Sequence, residues 1–393
     1  MNGKNISKIA YVNRIEGSVL GTDEKERENI YNDIRSSDCL IVAGAGRSFS
    51  ASKIAFGELA KCRPDLTIGF IDDPGFPGNT MRQAAPAFES KYDKTVLIVN
   101  SGSGKTYSPY NAAFQLGNYI EKTGTKKFTI DVITSNLESP IGNIGKKYGS
   151  VLVLKDSHEN KKREGYRKAA IMRDKYELGS LVVQQTLSQM LCEDCQPQRF
   201  EKILEKEFPK IGSVVDDFTK SNFYYSSIDN LEGRANVFIG GTGVANEEAE
   251  MVGTRMAHIK HVLGDEVYIV KGPTTPRPRP KDFVMLRSYS GGSKFYPGDT
   301  EEQKATVLDW AEKYRKAGAT IFSIVGKKNC PLEEFSDKVF YFGEESRGNK
   351  PRWWYTYAAF AESPMPISLT EKLKKRGLKL PPYILEWFHA TAE

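Results

Sequence analysis

Thr95-Val-Leu-Ile-Val-Asn100 followed by Ser101-Gly102-Ser103-Gly104-Lys105-Thr106 decides how this chain is read. The first six residues form a short, largely apolar and β-branched segment, the pattern of a strand buried on both faces of a parallel sheet. Beyond the Ser/Gly loop, Asn111 to Ile120 has helical periodicity, with Ser108 as N-cap and Pro109 as first helical residue. Strand, Ser/Gly loop and helix N-terminus together aim backbone N–H groups and hydroxyls at one point, where the helix dipole favours an anion. The Gly-Lys-Thr is not a Walker A motif. That motif requires a glycine five residues before Gly104, where this chain has Val99.

The same grammar extends in both directions. Upstream, Cys39–Ala43 reads as a strand, Gly44–Ser48 as a turn and Ser50–Lys61 as a helix. Leu66–Ile71, Phe128–Ile133 and Ser150–Leu154 supply further strands, with helices around Met81–Lys91 and after Ser139-Pro140. This β–α alternation predicts a doubly wound parallel sheet. It then recurs. Asn236–Ile239 leads to Gly240-Gly-Thr-Gly243 and a helix from Asn246 to Ile259. Phe283–Leu286 leads to Arg287-Ser-Tyr-Ser-Gly291 and a helix from Glu301 to Lys316. Thr320–Val325 leads to Cys330-Pro-Leu332 and the strand Val339–Phe342. Gly46 and Gly243, Ser103 and Ser290, and Pro140 and Pro331 stand about 190 residues apart in the same order, which argues for duplication of one domain. The expected fold is α/β, with two tandem doubly wound parallel-sheet domains. Their expected bounds are an N-terminal arm 1–34, domain 1 over 35–198, a connector 199–231, domain 2 over 232–346 and a helical tail 347–393.

Composition narrows the function classes. The 393 residues are 39% hydrophobic with a net charge of +6, an ordinary globular balance that favours small anionic ligands over polyanions. Lysine and arginine clusters are interleaved with glutamate and lack spaced aromatics, so nucleic acid is not an expected partner. No run reaches the roughly 20 apolar residues of a membrane span, and Met1 to Asn5 has no apolar leader core. Five scattered cysteines suit a reducing cytoplasm. Cys192-Glu-Asp-Cys195 has redox or zinc spacing but no second ligand pair nearby, so no metal is expected.

Gly44-Ala-Gly46-Arg47-Ser48, then Ser101-Gly102-Ser103-Gly104-Lys105-Thr106, then Ser139-Pro140-Ile141 resemble the sugar isomerase (SIS) domain. The second half follows more loosely through Gly241–Gly243, Ser288–Gly291 and Cys330–Leu332. The tandem pair resembles the isomerase domains of glucosamine-6-phosphate synthase and archaeal phosphoglucose/phosphomannose isomerases. The Gly-Arg-Ser and Ser-Gly-Ser-Gly combination is similar to 6-phospho-3-hexuloisomerase. The resemblance implies a sugar phosphate held by Ser101, Gly102, Ser103, Lys105 and Thr106, with Arg47 and Ser48 assisting. Lys105 departs from the family's usual Glu. It further implies aldose–ketose isomerisation through an enediol, without metal or cofactor, with one base moving a proton between C1 and C2. Tyr176-Glu177 stands where the hexuloisomerases have Phe-Glu, making Glu177 the expected base; a first-turn carboxylate complementing a helix dipole is the other reading. Ring opening of a cyclic sugar commonly uses a histidine, and among His158, His258, His261 and His389 the pair His258 and His261 shares one helix. A sugar-phosphate sensor and an amino-sugar phosphate isomerase or deaminase are the alternatives, and a homodimer is compatible with either. In domain 2, Glu247, Glu248 and Glu250 follow the Gly-rich turn, which predicts repulsion of phosphate there.

Overall fold

The computed structural model describes residues 10–155, 174–272, 274–292, 306–343 and 353–381. They form two compact units that divide at Pro209. His158, His389 and the expected helix start at Glu301 lie outside the described residues.

The first unit opens with helices α1 (Ala10–Leu20) and α2 (Glu24–Arg35). The alternating series follows: β1 (Cys39–Gly44), α3 (Gly46–Cys62), β2 (Thr67–Phe70), α4 (Met81–Lys91), β3 (Thr95–Asn100), α5 (Tyr107–Thr123), β4 (Phe128–Thr134), α6 (Pro140–Tyr148) and β5 (Val151–Val153). Helices α7 (Asp174–Glu193) and α8 (Arg199–Lys220) complete it, the division falling within α8. All pairings are parallel, in the order β2-β1-β3-β4-β5. Every residue of β1 and β3 is buried, as expected of central strands covered on both faces. Cys39, Ile41, Leu97, Val99, Ile130 and Val132 pack one face against α4, α5 and α6. The alternate residues face the other way, where α3 lies on the strands and α7 lies on α3.

The second unit contains α9 (Asn222–Glu232), β6 (Val237–Gly240), α10 (Val244–Lys260), β7 (Val267–Ile269), β8 (Phe283–Ser288), α11 (Thr306–Lys316), β9 (Thr320–Val325), β10 (Lys338–Tyr341), α12 (Trp354–Glu362) and α13 (Met365–Lys375). Its sheet is again wholly parallel, ordered β7-β6-β8-β9-β10. With β6 for β1 and β8 for β3, this is the topology of the first sheet. The tandem doubly wound architecture is therefore present, with a fifth strand, β7, that the sequence reading passed over.

Three expected bounds change. The N-terminal arm is two helices of the first unit, with α1 packed on α7. The connector is the regular helices α8 and α9. The aromatic tail is no separate element, because α12 packs on α10 and α13 on α9 within the second unit. In each case an apolar stripe needed a surface to cover it. Trp353 and Trp354, for instance, are almost wholly buried.

Asp131, fully buried in β4, accepts a hydrogen bond from Ser150 N–H at 2.9 Å. Burial lifts its carboxyl to about 7, with the Asp33 charge adding to the rise and the Ser150 bond opposing it. The folded chain thus holds this proton more tightly than the unfolded chain, so stability falls as pH rises from about 4 to about 7. Asp131→Asn should match wild type near pH 4 and exceed it at pH 8 by about 2–4 kcal/mol. Urea denaturation at the two pH values checks this, and parallel curves would contradict it.

Candidate functional site

In a sheet of order 2-1-3-4-5 the connections leaving β1 and β3 turn to opposite sides, which opens a crevice at the carboxyl ends of those two strands. The loops after β1 and β3 are the ones singled out from the sequence. α3 begins at Gly46, earlier than expected, so Arg47 and Ser48 occupy its first turn. Both are buried. α5 begins at Tyr107, with Thr106 rather than Ser108 as N-cap. Chain direction is reversed by the Ser/Gly loop itself, so the helix starts as soon as the loop closes.

The loop is pinned from beneath. Gly104 has φ +65° and its N–H donates to Ser101 O at 3.2 Å. A Cβ there would stand 2.1 Å from Ser139 Oγ, so only glycine fits. Ser135 donates to Gly102 O through N–H (3.1 Å) and Oγ (2.6 Å). Ser139 caps α6, accepting from Gly142 N–H at 3.2 Å. Ser101 is buried under the loop, whereas Ser103 and Thr106 are half-exposed with hydroxyls 3.4 Å apart. Lys105 is exposed and its backbone N–H donates to Ser103 Oγ at 3.2 Å.

Asn100 joins the elements. Fully buried, its Nδ2 donates to Ser48 O (2.8 Å), Ser52 Oγ (3.1 Å) and Ser180 Oγ (3.2 Å), and its Oδ1 accepts from the Tyr176 hydroxyl at 2.6 Å. The Tyr176 ring lies so close to Gly102 that a Cβ there would approach it to 2.8 Å. The next residue, Glu177, receives Arg47: Nη1 to Oε2 is 2.5 Å, with both side chains over nine-tenths buried. The structure thus brings Arg47, Ser48, Ser101, Gly102, Ser103, Lys105, Thr106 and Glu177 to one edge of one sheet. The sequence reading missed Asn100, a polar residue closing an apolar strand, and the direct Arg47–Glu177 pairing.

Within the first unit α2, α4 and α6 are capped by Asp23, Thr80 and Ser139, whereas α3 and α5, which flank the crevice, have no side-chain cap; α10, α12 and α13 of the second unit lack one too. The first-turn N–H groups of α3 and α5 are left for a ligand.

His258 and His261 do not join the loops of their own unit. α10 leaves the carboxyl edge of the second sheet at Gly243 and runs about 25 Å back to the amino edge, where His261 lies exposed 3.4 Å from Glu266 Oε2. A crossover helix must return the chain to the start of the next strand, which carries its last turn away from the loops. The expected repulsion by Glu248 and Glu250 also changes. Glu248 is buried against Arg287, and Glu250 pairs with Lys271 at 2.6 Å. Glu247, in the first turn of α10, stays partly exposed. Among the described residues, no group of three or more His, Cys, Asp or Glu is placed to hold a metal ion, and no helix is long and apolar enough to cross a membrane.

The duplication reaches the detail of the loops. Gly291 has φ +61°, its N–H donates to Ser288 O at 3.2 Å, and a Cβ on it would stand 2.0 Å from Cys330 Sγ. These are the relations of Gly104 to Ser101 and Ser139. Tyr289 packs edge-on against Trp354 at the start of α12, as Gly102 does on Tyr176 in α7.

No family model matches the chain. An uncharacterized protein of Methanothermobacter thermautotrophicus is 30% identical over 129 residues, which is 33% of this chain; the match spans only 57% of that relative. Solved structures match over nearly the whole length. The C-terminal domain of glucosamine-fructose-6-phosphate aminotransferase from Francisella tularensis has a TM-score of 0.55 at 13% identity, covering 92% of this chain and 94% of that one. Tagatose-6-phosphate ketose/aldose isomerase from Escherichia coli gives 0.57 at 11% identity, covering 92% and 90%. Glucosamine-6-phosphate deaminase from Thermotoga maritima gives 0.51 at 14%, covering 94% and 96%. Two wholly parallel five-stranded sheets of one topology, matched over nine-tenths of the chain, give this protein the fold of the tandem SIS-domain phosphosugar isomerases.

Proposed function

We propose that this protein binds a sugar phosphate at the carboxyl edge of its first sheet and interconverts its aldose and ketose forms. The observation that carries the reading is the pair of uncapped helix N-termini, α3 and α5, flanking the crevice between β1 and β3. An anion seated there meets two positive dipole ends, the hydroxyls of Ser103 and Thr106, and the Lys105 cation at the rim. Ser101 and Gly102 shape the loop, and Arg47 and Ser48 close the side next to α3.

A phosphate held at one end of a sugar leaves C1 and C2 to reach toward the start of α7. There Glu177 takes a proton from one carbon and returns it to the other through a cis-enediol. Arg47 fixes the carboxylate's position, and Asn100 and Tyr176 hold α7 against the sheet. A second reading, a protein that binds a sugar phosphate without converting it, is favoured by the same ion pair, because Arg47 already engages the Glu177 carboxylate. An amino-sugar phosphate would use the same crevice and differ only at C2, where ammonia release would reveal it.

Ser103→Ala removes one hydroxyl donor to a charged acceptor, a bond contributing roughly 1.5–3 kcal/mol. Affinity for the bound sugar phosphate should fall tenfold or more in a calorimetric titration, while the unfolding temperature of the ligand-free protein hardly moves. Unchanged affinity would remove the loop from the site. The second unit's equivalent loop has Ser288 Oγ already accepting from Gly291 N–H at 3.1 Å and both serines buried. One phosphate per chain is therefore expected.

A further inference from the structure

Helices α3 and α7 pack side by side and run in the same direction. Arg47, in the first turn of α3, meets Glu177 in the first turn of α7. At the far ends Cys62, the last residue of α3, and Cys192, in the last turn of α7, come to the same level of the packed helix pair and are close enough for each to influence the other's ionisation. Both side chains are part-exposed, so a small reagent can reach them. Cys195, which shares a C-x-x-C spacing with Cys192, is turned aside. Asp194 adopts φ +47° directly after the helix, and the Cys195 thiol lies 3.6 Å from Glu193 Oε2. Spacing in sequence would pair Cys192 with Cys195, whereas packing pairs it with Cys62.

We propose that Cys62 and Cys192 are a redox modification site that closes to a reversible disulfide. The oxidant is a low-molecular-weight disulfide. One cysteine thiolate attacks it, forming a mixed disulfide and expelling one thiol; the second cysteine thiolate then displaces the other. Two S–H bonds are lost and one S–S bond forms within the chain, and the oxidant's S–S bond accepts the two electrons and leaves as two thiols. Burial raises both thiols above the ordinary range, the neighbouring Cys62 adding to the rise at Cys192. Closure is therefore slow at neutral pH and faster in alkali. Because neither thiolate is stabilised, the bond once formed resists reduction, unlike disulfides whose reduced form is a stabilised thiolate.

The test uses the full chain, folded, with oxidised glutathione at pH 8, quenched with iodoacetamide and digested without reductant. A peptide linking Cys62 to Cys192 is expected, with free thiols in the unfolded chain falling from the five of the sequence by two. The link closes a loop of about 130 residues, so the unfolding midpoint should rise by roughly 5–15 °C and return on adding dithiothreitol. Cys195→Ser should leave both results intact, and Cys62→Ser should abolish both. A Cys192–Cys195 link, a persistent glutathione adduct without the internal bond, or no loss of thiols would each overturn the proposal. None of these readouts depends on the phosphate site, so the two readings stand or fall separately.

Discussion

Glu177→Gln should abolish most proton transfer while sparing sugar-phosphate binding. Gln has nearly the volume of Glu and keeps an oxygen that can accept from Arg47, so the crevice retains its shape. It loses the negative charge that accepts a proton from carbon. Removing a general base typically lowers the rate by about 10²–10⁴. The measurement is exchange of the C1 or C2 hydrogen with deuterated water, using a sugar phosphate already shown to bind. Affinity should stay within a few-fold, because the proposed phosphate contacts lie on the Ser101–Thr106 loop and the amino ends of α3 and α5. Folding should weaken by about 1–3 kcal/mol, the contribution of a hydrogen bond to a charged group. Arg47→Lys supplies a control that keeps the charge but loses the planar fork. It should lower exchange through misplacement of the carboxylate rather than its absence. Exchange by Glu177→Gln equal to wild type would reduce Glu177 to a structural partner of Arg47. A wild type that binds a sugar phosphate and exchanges nothing would establish the binding-only reading.

Legibility in the sequence followed how local each cause was. Thr95–Asn100 is a strand because five apolar or β-branched residues in a row, Thr95 to Val99, fit only a site covered on both faces, and it is found unchanged. The Ser/Gly loop was legible because Gly104 needs a positive φ and serines supply donors. The repeat was legible because similar loops recur in the same order at nearly constant offsets, and both sheets share one strand order. What escaped depends on distant partners. The start of α5 moved because Thr106 ends the loop, and nothing local outweighed Ser108-Pro109 as a helix start. β7 has only three residues, too few to show a period. The aromatic stretch at Trp353 read as a separate tail because its apolar faces say that something covers them without saying what. Asn100 gave a signal, a polar residue at the end of a buried strand. Its four partners come from two helices, α3 and α7, that lie far apart in sequence, so no spacing could name them.

The second sheet replaces that residue with a charge, and there the largest stability change is expected. Arg287 precedes the second Ser-loop as Asn100 precedes the first. Arg287, Glu248 and Glu362 are each fully buried, and Nη2 of Arg287 contacts both oxygens of Glu362 at 2.5 and 2.7 Å while Nε meets Glu248. Burial raises the Glu248 carboxyl well above the ordinary range, Arg287 pulls it back and Glu362 raises it further. One guanidinium cannot neutralise two carboxylates, so the folded state holds a proton that the unfolded chain releases near pH 4.5. Stability therefore declines as pH rises above that value. Arg287→Met leaves both carboxylates buried without a cation and should cost about 3–5 kcal/mol at pH 7. The cost should shrink toward pH 5, where Glu248, its carboxyl raised by burial, is more readily protonated. Glu248→Gln acts in the opposite sense. It removes the charge that burial penalises and keeps a hydrogen-bonding group, so above pH 7 it should equal or exceed wild type in stability. Urea denaturation of both variants between pH 5 and 8 decides the matter. A pH-independent loss for Arg287→Met, or a loss for Glu248→Gln that grows with pH, would show that the three charges do not share a proton as argued.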